Sequence, residues 1–346
     1  MKLVKLSNVI SMYPEPALGT LNEHTRYMAL AVDKSTLNDK VKFGLARQIT
    51  KSEGSVDVPG FLDKSKLIIV KSNDLLKWDK HEDLNIKGIN KVIKDLSKKN
   101  TLFIGLEDPD IYTDEKGIKH IYFTIAFKVK DQHKYFIHLG HAHGKELNKL
   151  TATKPVIGPI NKRICGFKEV SIPINVKETP RYHLMEMGYL ENEEWVSTIS
   201  SALAKEMHSP WKYKKIVLNP LEMKNNWCKG HLSPCCFLDD LNLKEDLLVC
   251  LVNGREPETF VMEKKVYGKF RPGFILFNTK TGEVPWIDSE HFLEDPDART
   301  ITFASDFIKI NNNKGILYAH VNDGFVRAYE VDLKELEKYI RNKIKI

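Results

Sequence analysis

Long apolar runs are missing from this 346-residue chain. No stretch approaches the roughly 20 consecutive apolar residues that a membrane-spanning helix needs. The opening Met-Lys-Leu-Val-Lys-Leu-Ser-Asn-Val-Ile carries too short an apolar run for a signal peptide. No membrane partner is therefore expected, and the expected location is cytoplasmic. Cysteine is scarce. Cys165, Cys228, Cys235, Cys236 and Cys250 are an odd set without CxxC spacing, which argues against a disulfide frame or a zinc site and for reduced thiols. Charge of one sign is not abundant either: 53 Lys and Arg stand against 46 Asp and Glu, a net +7. The densest basic runs, Lys94–Lys99 and Lys338–Lys345, read as solvated helix faces. They do not interleave with aromatics on a recognisable motif, so no nucleic acid partner is expected.

Helical periodicity is rare as well. Gly88–Lys99 places Ile89, Val92, Ile93 and Leu96 on one face. At the end of the chain, Asp332 offers an N-cap before a stripe of Leu333, Leu336, Tyr339, Ile340 and Ile344. The lack of helices between strands argues against a parallel α/β fold.

What the chain does contain is β-type sequence in a globular composition, 42% apolar and 29% charged. Strand candidates are Thr25–Val32, Val41–Thr50, Lys66–Lys71, Lys134–His143, Arg181–Met187, Glu194–Ser200, Leu247–Val252, Gly273–Asn278, Arg299–Ile310, Gly315–Val321 and Phe325–Val331. The most informative stretch is Gly105–Phe127. There Glu107-Asp108-Pro109-Asp110 leads into a strand, a Thr-Asp-Glu-Lys-Gly turn and a second, aromatic strand. Pro109 fixes its own φ and pushes Asp108 towards an extended conformation. An acid held stiffly in this way suits acid–base chemistry on a sugar.

Three group-leading segments place a proline after a polar cluster: Pro109, Pro173 and Pro234, spaced 64 and 61 residues apart, with Pro16 marking the equivalent place in the first group. About five groups of three or four short strands at such spacing predict an all-β fold, a five-bladed β-propeller with a short C-terminal helix. Residues 1–346 would form one catalytic domain. Innermost strands would bring distant acids to one axis. Trp78, Trp211 and Trp286 each close a group and read as core packing. His138, His141 and His143 suggest a metal set, but on a strand His138 points away from the other two and no carboxylate completes it. No metal is expected.

Four stretches resemble glycoside hydrolase family 130, the β-mannoside phosphorylases and β-mannosidases, whose architecture families 43, 32 and 68 share. They are Glu107-Asp108-Pro109; Lys168-Glu169-Val-Ser-Ile-Pro173 with Arg181-Tyr-His-Leu-Met; Gly230–Pro234 with Leu247-Leu-Val-Cys-Leu-Val-Asn; and Ile316-Leu-Tyr-Ala-His320-Val-Asn322-Asp323. The resemblance implies an enzyme cleaving an oligosaccharide or small glycoside, with a β-mannoside the best single choice, by hydrolysis or by phosphorolysis with inorganic phosphate as co-substrate. It implies no other cofactor. Asp108 would be the proton donor, acting through a sugar hydroxyl, with Glu169, as general base or acid, and Glu15 as further catalytic carboxylates. Glu107 and Asp323 would bind sugar hydroxyls, and Lys168, His231 and Arg271 are the candidates to hold phosphate. The family usually follows Glu-Asp-Pro with arginine, and here Asp110 stands in that place. The family-43 pattern, an arabinosidase or xylosidase type, wants an aspartate base in the first blade, where Glu15 stands. A non-catalytic carbohydrate-binding propeller is the alternative from another class. A homo-oligomer stays open.

Overall fold

The computed structural model describes residues 8–21, 25–130, 132, 134–208, 210–239, 241, 243 and 246–344. Most of the opening decapeptide, the serine before Pro210 and the last lysine of the C-terminal basic run lie outside the described residues.

Strands dominate. After β1 (Ile10–Met12) comes a set of β2 (Tyr27–Val32), β3 (Lys42–Glu53), β4 (Leu62–Ser72) and β5 (Asp79–Asp83), paired antiparallel in that order. A short β6 (Ile86–Lys87) and helix α1 (Ile89–Leu96) connect to the next set, β7 (Thr101–Thr113), β8 (Lys119–Val129), β9 (Tyr135–Gly144) and β10 (Leu150–Ala152). β11 (Ile164–Ser171), β12 (Arg181–Glu191), β13 (Glu194–Ala204) and β14 (Lys212–Leu218) follow in the same manner. In the next set, β15 (His231–Phe237) pairs with β16 (Leu247–Arg255). A projecting hairpin of β17 (Thr259–Val261) and β18 (Lys264–Val266) intervenes before β19 (Phe270–Asn278) and β20 (Glu283–Ile287) complete it. The last set is β21 (Thr302–Lys309), β22 (Lys314–Val321) and β23 (Phe325–Asp332), and β1 returns from the N-terminus as its fourth strand, Ile10 opposite Val331.

The first strands of successive sets lie side by side: β2 by β7, β7 by β11, β11 by β15, β15 by β21, and β21 by β2 again. Single parallel bridges, Ser65 with Gly105 and Gly166 with Ile137, tie three sets into one continuous sheet. Both bridges need glycine. A Cβ on Gly105 would meet the Ser65 carbonyl oxygen at 2.3 Å, and one on Gly166 would meet that of Ile137 at 2.0 Å.

Apolar side chains on alternating strand positions fill the space between sets. One cluster around Phe274, Leu317 and Tyr329 receives helix α2 (Leu333–Ile344), whose Leu333, Leu336 and Ile340 are buried as the stripe requires. Asp332 caps that helix, accepting from the Lys334 and Glu335 amides at 2.9 and 3.0 Å. Trp78 and Trp211 are buried and Trp286 packs against the core, as their group-closing positions imply. All five cysteines are buried free thiols. Among the described residues no helix is long and apolar enough to cross a membrane.

The histidines sort differently from the sequence grouping. His138 packs edge-on to Phe127, whereas His141 and His143 form a stacked column with His120 and His208. The described residues hold no group of three or more side chains arranged to bind a metal. Burial, and then the neighbouring histidines, push His141 down to about 3, and burial pushes His138 to about 4. These rings are neutral in the fold, while the unfolded chain takes up protons near pH 6.5. The two rings therefore contribute nothing above that pH and destabilise increasingly as pH falls from 6.5 towards 4 and 3. His141 alone should contribute a loss of about 2 kcal/mol at pH 5. The urea midpoint of His141→Gln relative to the wild type, measured at pH 8 and pH 5, checks this, since Glu169 and Glu107 titrate in both proteins; a difference that does not change with pH would contradict it.

Candidate functional site

Every first strand carries a β-bulge at a corresponding point. The register slips between Met28 and Ala31, Glu107 and Asp110, Lys168 and Val170, Pro234 and Cys236, and Ala304 and Asp306. A bulge inserts an extra residue and re-aims its side chain. The inserted residues Ala29, Asp108, Glu169, Cys235 and Ser305 all line one cavity. Three of them adopt a left-handed backbone without being glycine, with φ of 52° at Ala29, 47° at Asp108 and 44° at Glu169, so at Asp108 the bulge overrides the extended conformation that Pro109 favours. Each such residue costs about 1–3 kcal/mol, a strain that typically marks a functional site. Pro109 and Pro234 sit at their bulges and also line the cavity.

The strands are pinned where they meet. Asp110 accepts from the Val170 amide at 3.3 Å, and Asp306 from the Val32 amide at 2.8 Å. Each aspartate thus ties its own strand to the first strand of the following set. Asp110, standing where the family resemblance calls for arginine, has this tethering contact, and burial followed by the Glu169 charge raises its pKa well above the usual range. Tyr112 adds a second tie, donating to the Val170 carbonyl and accepting from the Ile172 amide.

An arginine reaches the acids from another direction. Arg47, on β3, places Nη1 2.9 Å from Asp108 Oδ1 and Nη2 2.9 Å from Glu107 Oε1. Burial pushes Glu107 up to about 7 against the pull of Arg47, with the adjacent Asp108 charge adding to the rise. Glu169 is pushed further, to about 8, by burial and by the charges of Asp108 and Glu186, with Lys168 opposing. The Ser233 hydroxyl donates to Glu169 Oε2 at 2.7 Å. Behind Glu169 lies Glu186 on β12, fully buried, 3.5 Å from Lys168 Nζ and 3.1 Å from His231 Nε2. Burial works to raise Glu186, but His231 and Lys168 outweigh it and hold the carboxyl down at about 2.

The cavity therefore combines Asp108, which pairs with a guanidinium, and Glu169, whose carboxyl is pushed up to about 8 by burial.

The structure thus brings Asp108, Glu169, Glu107, Lys168 and His231 into one connected cluster. Asp323 is near but turned to another partner, 3.2 Å from His320 Nε2. It is held below the usual carboxylate range because His320, Arg47 and Arg26 together overcome its burial. Two expected residues are elsewhere. Glu15 is exposed, in the segment between β1 and β2 whose backbone bonds to Val326 and Ala328 of β23, so it lies beside a third strand rather than on a first one. Arg271, on β19, is paired with Glu256 and Glu294, both at 2.8 Å, and does not line the cavity. Pro16 and Pro173 likewise mark no bulge. Pro173 follows the end of β11, and the equivalent position in that strand is Glu169.

No protein-family model matches the chain, and no curated protein sequence matches it. Solved structures do. A β-1,2-mannobiose phosphorylase from Listeria innocua, bound to β-1,2-mannobiose, superposes with a TM-score of 0.66 at 13% identity over 94% of this chain and 98% of that one. A glycosyl hydrolase from Bacteroides ovatus matches with a TM-score of 0.63 at 17% identity over 90% and 85%. A structure from work on family 130 mannoside phosphorylases and on hydrolases targeting β-1,2 mannosidic linkages in Candida mannan gives 0.63 at 16% identity over 96% and 91%. The chain shares their fold.

Sequence reasoning missed Arg47 and Glu186. Arg47 gives no local signal, because its partners lie 60 residues on. Glu186 does give one: an acid inside the apolar run Leu184-Met-Glu-Met187 stands out, because charged residues are rarely buried without a partner.

Proposed function

We propose that the chain is a five-bladed β-propeller enzyme that cleaves a short glycoside, a β-mannoside by preference, with inversion. The five antiparallel sets are its blades, and β1 closes the last of them. One observation carries the reading: bulges on neighbouring first strands aim two carboxyl groups into a single cavity, Asp108 paired with Arg47 and Glu169 pushed up to about 8 by burial. Glu169, protonated at neutral pH, donates to the leaving oxygen. Asp108, anchored by Arg47, takes a sugar hydroxyl or orients the attacking water on the opposite face of the ring. This assignment moves the donor role that the family resemblance gives to Asp108 onto Glu169. Glu186 keeps Lys168 and His231 in place behind it.

Water is favoured over phosphate as the nucleophile. Arg271 is held between two glutamates, and Lys168 and His231 both face Glu186, which offsets the positive charge an anion would need. Burial lowers the pKa of His231, although Glu186 opposes that shift. The test is a panel of short mannosides, arabinosides and xylosides, assayed with and without phosphate. The expected result is cleavage of a β-mannoside at a rate independent of phosphate. Strict phosphate dependence would reverse the choice of nucleophile, and no cleavage across the panel would contradict the glycosidase reading.

A further inference from the structure

We propose that Phe303 is the platform on which the apolar face of the substrate's sugar ring rests, and that it selects which rings the cavity accepts. The proposal rests on the glycoside-cleaving reading and deepens it.

The cavity lining is mixed. It includes the carboxyl groups of Asp108, Asp110 and Glu169 and, from another first strand, the aromatic ring of Phe303, with Pro234 and His320 also present. A pyranose is amphiphilic in the same sense, with hydroxyl groups around its edge and axial C–H groups on its faces. Acids and an aromatic ring lining one cavity can meet both demands, through hydrogen bonds to the hydroxyl groups and a polarisable π-face for the C–H groups.

Phe303 lies on the innermost strand of its set, between buried Thr302 and Ala304, and is itself only half-buried. Its ring is held in a fixed attitude. It stacks on His320 with centroids 4.8 Å apart and planes at 17°, and it meets Phe270 edge-on at 5.3 Å. Phe270 in turn abuts His231, at 4.9 Å, so the belt ends on the charged cluster behind Glu169. His320, which also lines the cavity, has both its nitrogens engaged within the protein. Nδ1 accepts from the Ala29 amide at 3.3 Å, and Nε2 stands 3.2 Å from the Asp323 carboxylate. Its use is as a backing plate, and Asp323 becomes the residue that orients that plate.

The test is calorimetric titration of β-1,2-mannobiose into Asp108→Asn protein, in which cleavage is suppressed, alone and combined with Phe303→Leu or Phe303→Tyr. Saturation-transfer NMR from the aromatic protons to the bound sugar accompanies it. The expected result is binding by the parent, about tenfold weaker binding with leucine, and little change with tyrosine. Transfer to the axial C–H protons of one ring face should be strong in the parent and lost in the leucine variant. Equal affinity with leucine, or no aromatic transfer in the parent (a readout that needs no Phe303 variant to fold), would overturn the platform while leaving the glycosidase reading intact. No binding by either the parent or the wild type would overturn the β-mannoside preference and the platform with it.

Discussion

Glu169→Gln should reduce kcat/KM by about 10²–10⁴-fold, the range a positioned proton donor contributes, while the protein stays folded. Glutamine keeps the shape and can still accept from the Ser233 hydroxyl, so the loss isolates the proton. In the wild type, activity should fall as pH rises through about 8, where Glu169 ionises. The variant should lack that limb. Stability should move the other way. Burial raises the pKa of Glu169 in the fold, so its ionisation opposes folding increasingly as pH climbs from 4.5 towards 8, and removing the carboxyl relieves that opposition. Thermal denaturation at pH 8 should therefore find Glu169→Gln more stable than the wild type. A variant that is inactive and also less stable at that pH would point to a structural role instead.

Arg47→Ala should be the most damaging single change to the fold of the site. It strips the counter-ion from two part-buried carboxyl groups at once, Glu107 and Asp108. Leaving a buried charge unpaired typically costs about 3–5 kcal/mol. Urea denaturation measures the loss, and a change below about 1 kcal/mol would contradict the pairing. Arg47→Lys restores a charge but not the two-pronged geometry, so it should recover stability only in part. Activity should remain low in both variants, because Asp108 loses the group that fixes its direction.

Much of this architecture could be read from the sequence. The all-β character, the terminal helix with its Asp332 cap, and most strands followed from alternation and turn residues, with ends that shifted by a few residues. Glu107-Asp108-Pro109 and Lys168-Glu169 stood out because acids beside proline or inside aromatic strands are conspicuous, and the structure brings them together. The bulges were not legible. Pro109 and Pro234 sit on two of them, but Ala29, Glu169 and Ser305 have no proline, and a one-residue register slip leaves no compositional trace. Proline spacing therefore pointed to Pro173 and Pro16 when the equivalent positions were Glu169 and Ala29. For the same reason Glu15 was placed on a first strand, although the chain enters through the outer strand of the last set and reaches the cavity only at β2. Arg271 looked available because sequence cannot show that Glu256 and Glu294 close around it.

The account turns on bulged acids from neighbouring strands acting together on one sugar. The most direct measurement is a crystal structure of Glu169→Gln protein with an uncleaved β-1,2-mannobiose. The expected complex places the glycosidic oxygen about 3 Å from the side-chain amide of residue 169, a ring hydroxyl on Asp108 and a ring face against Phe303. A disaccharide seated away from this cavity, or one whose glycosidic oxygen faces neither Asp108 nor residue 169, would contradict the account.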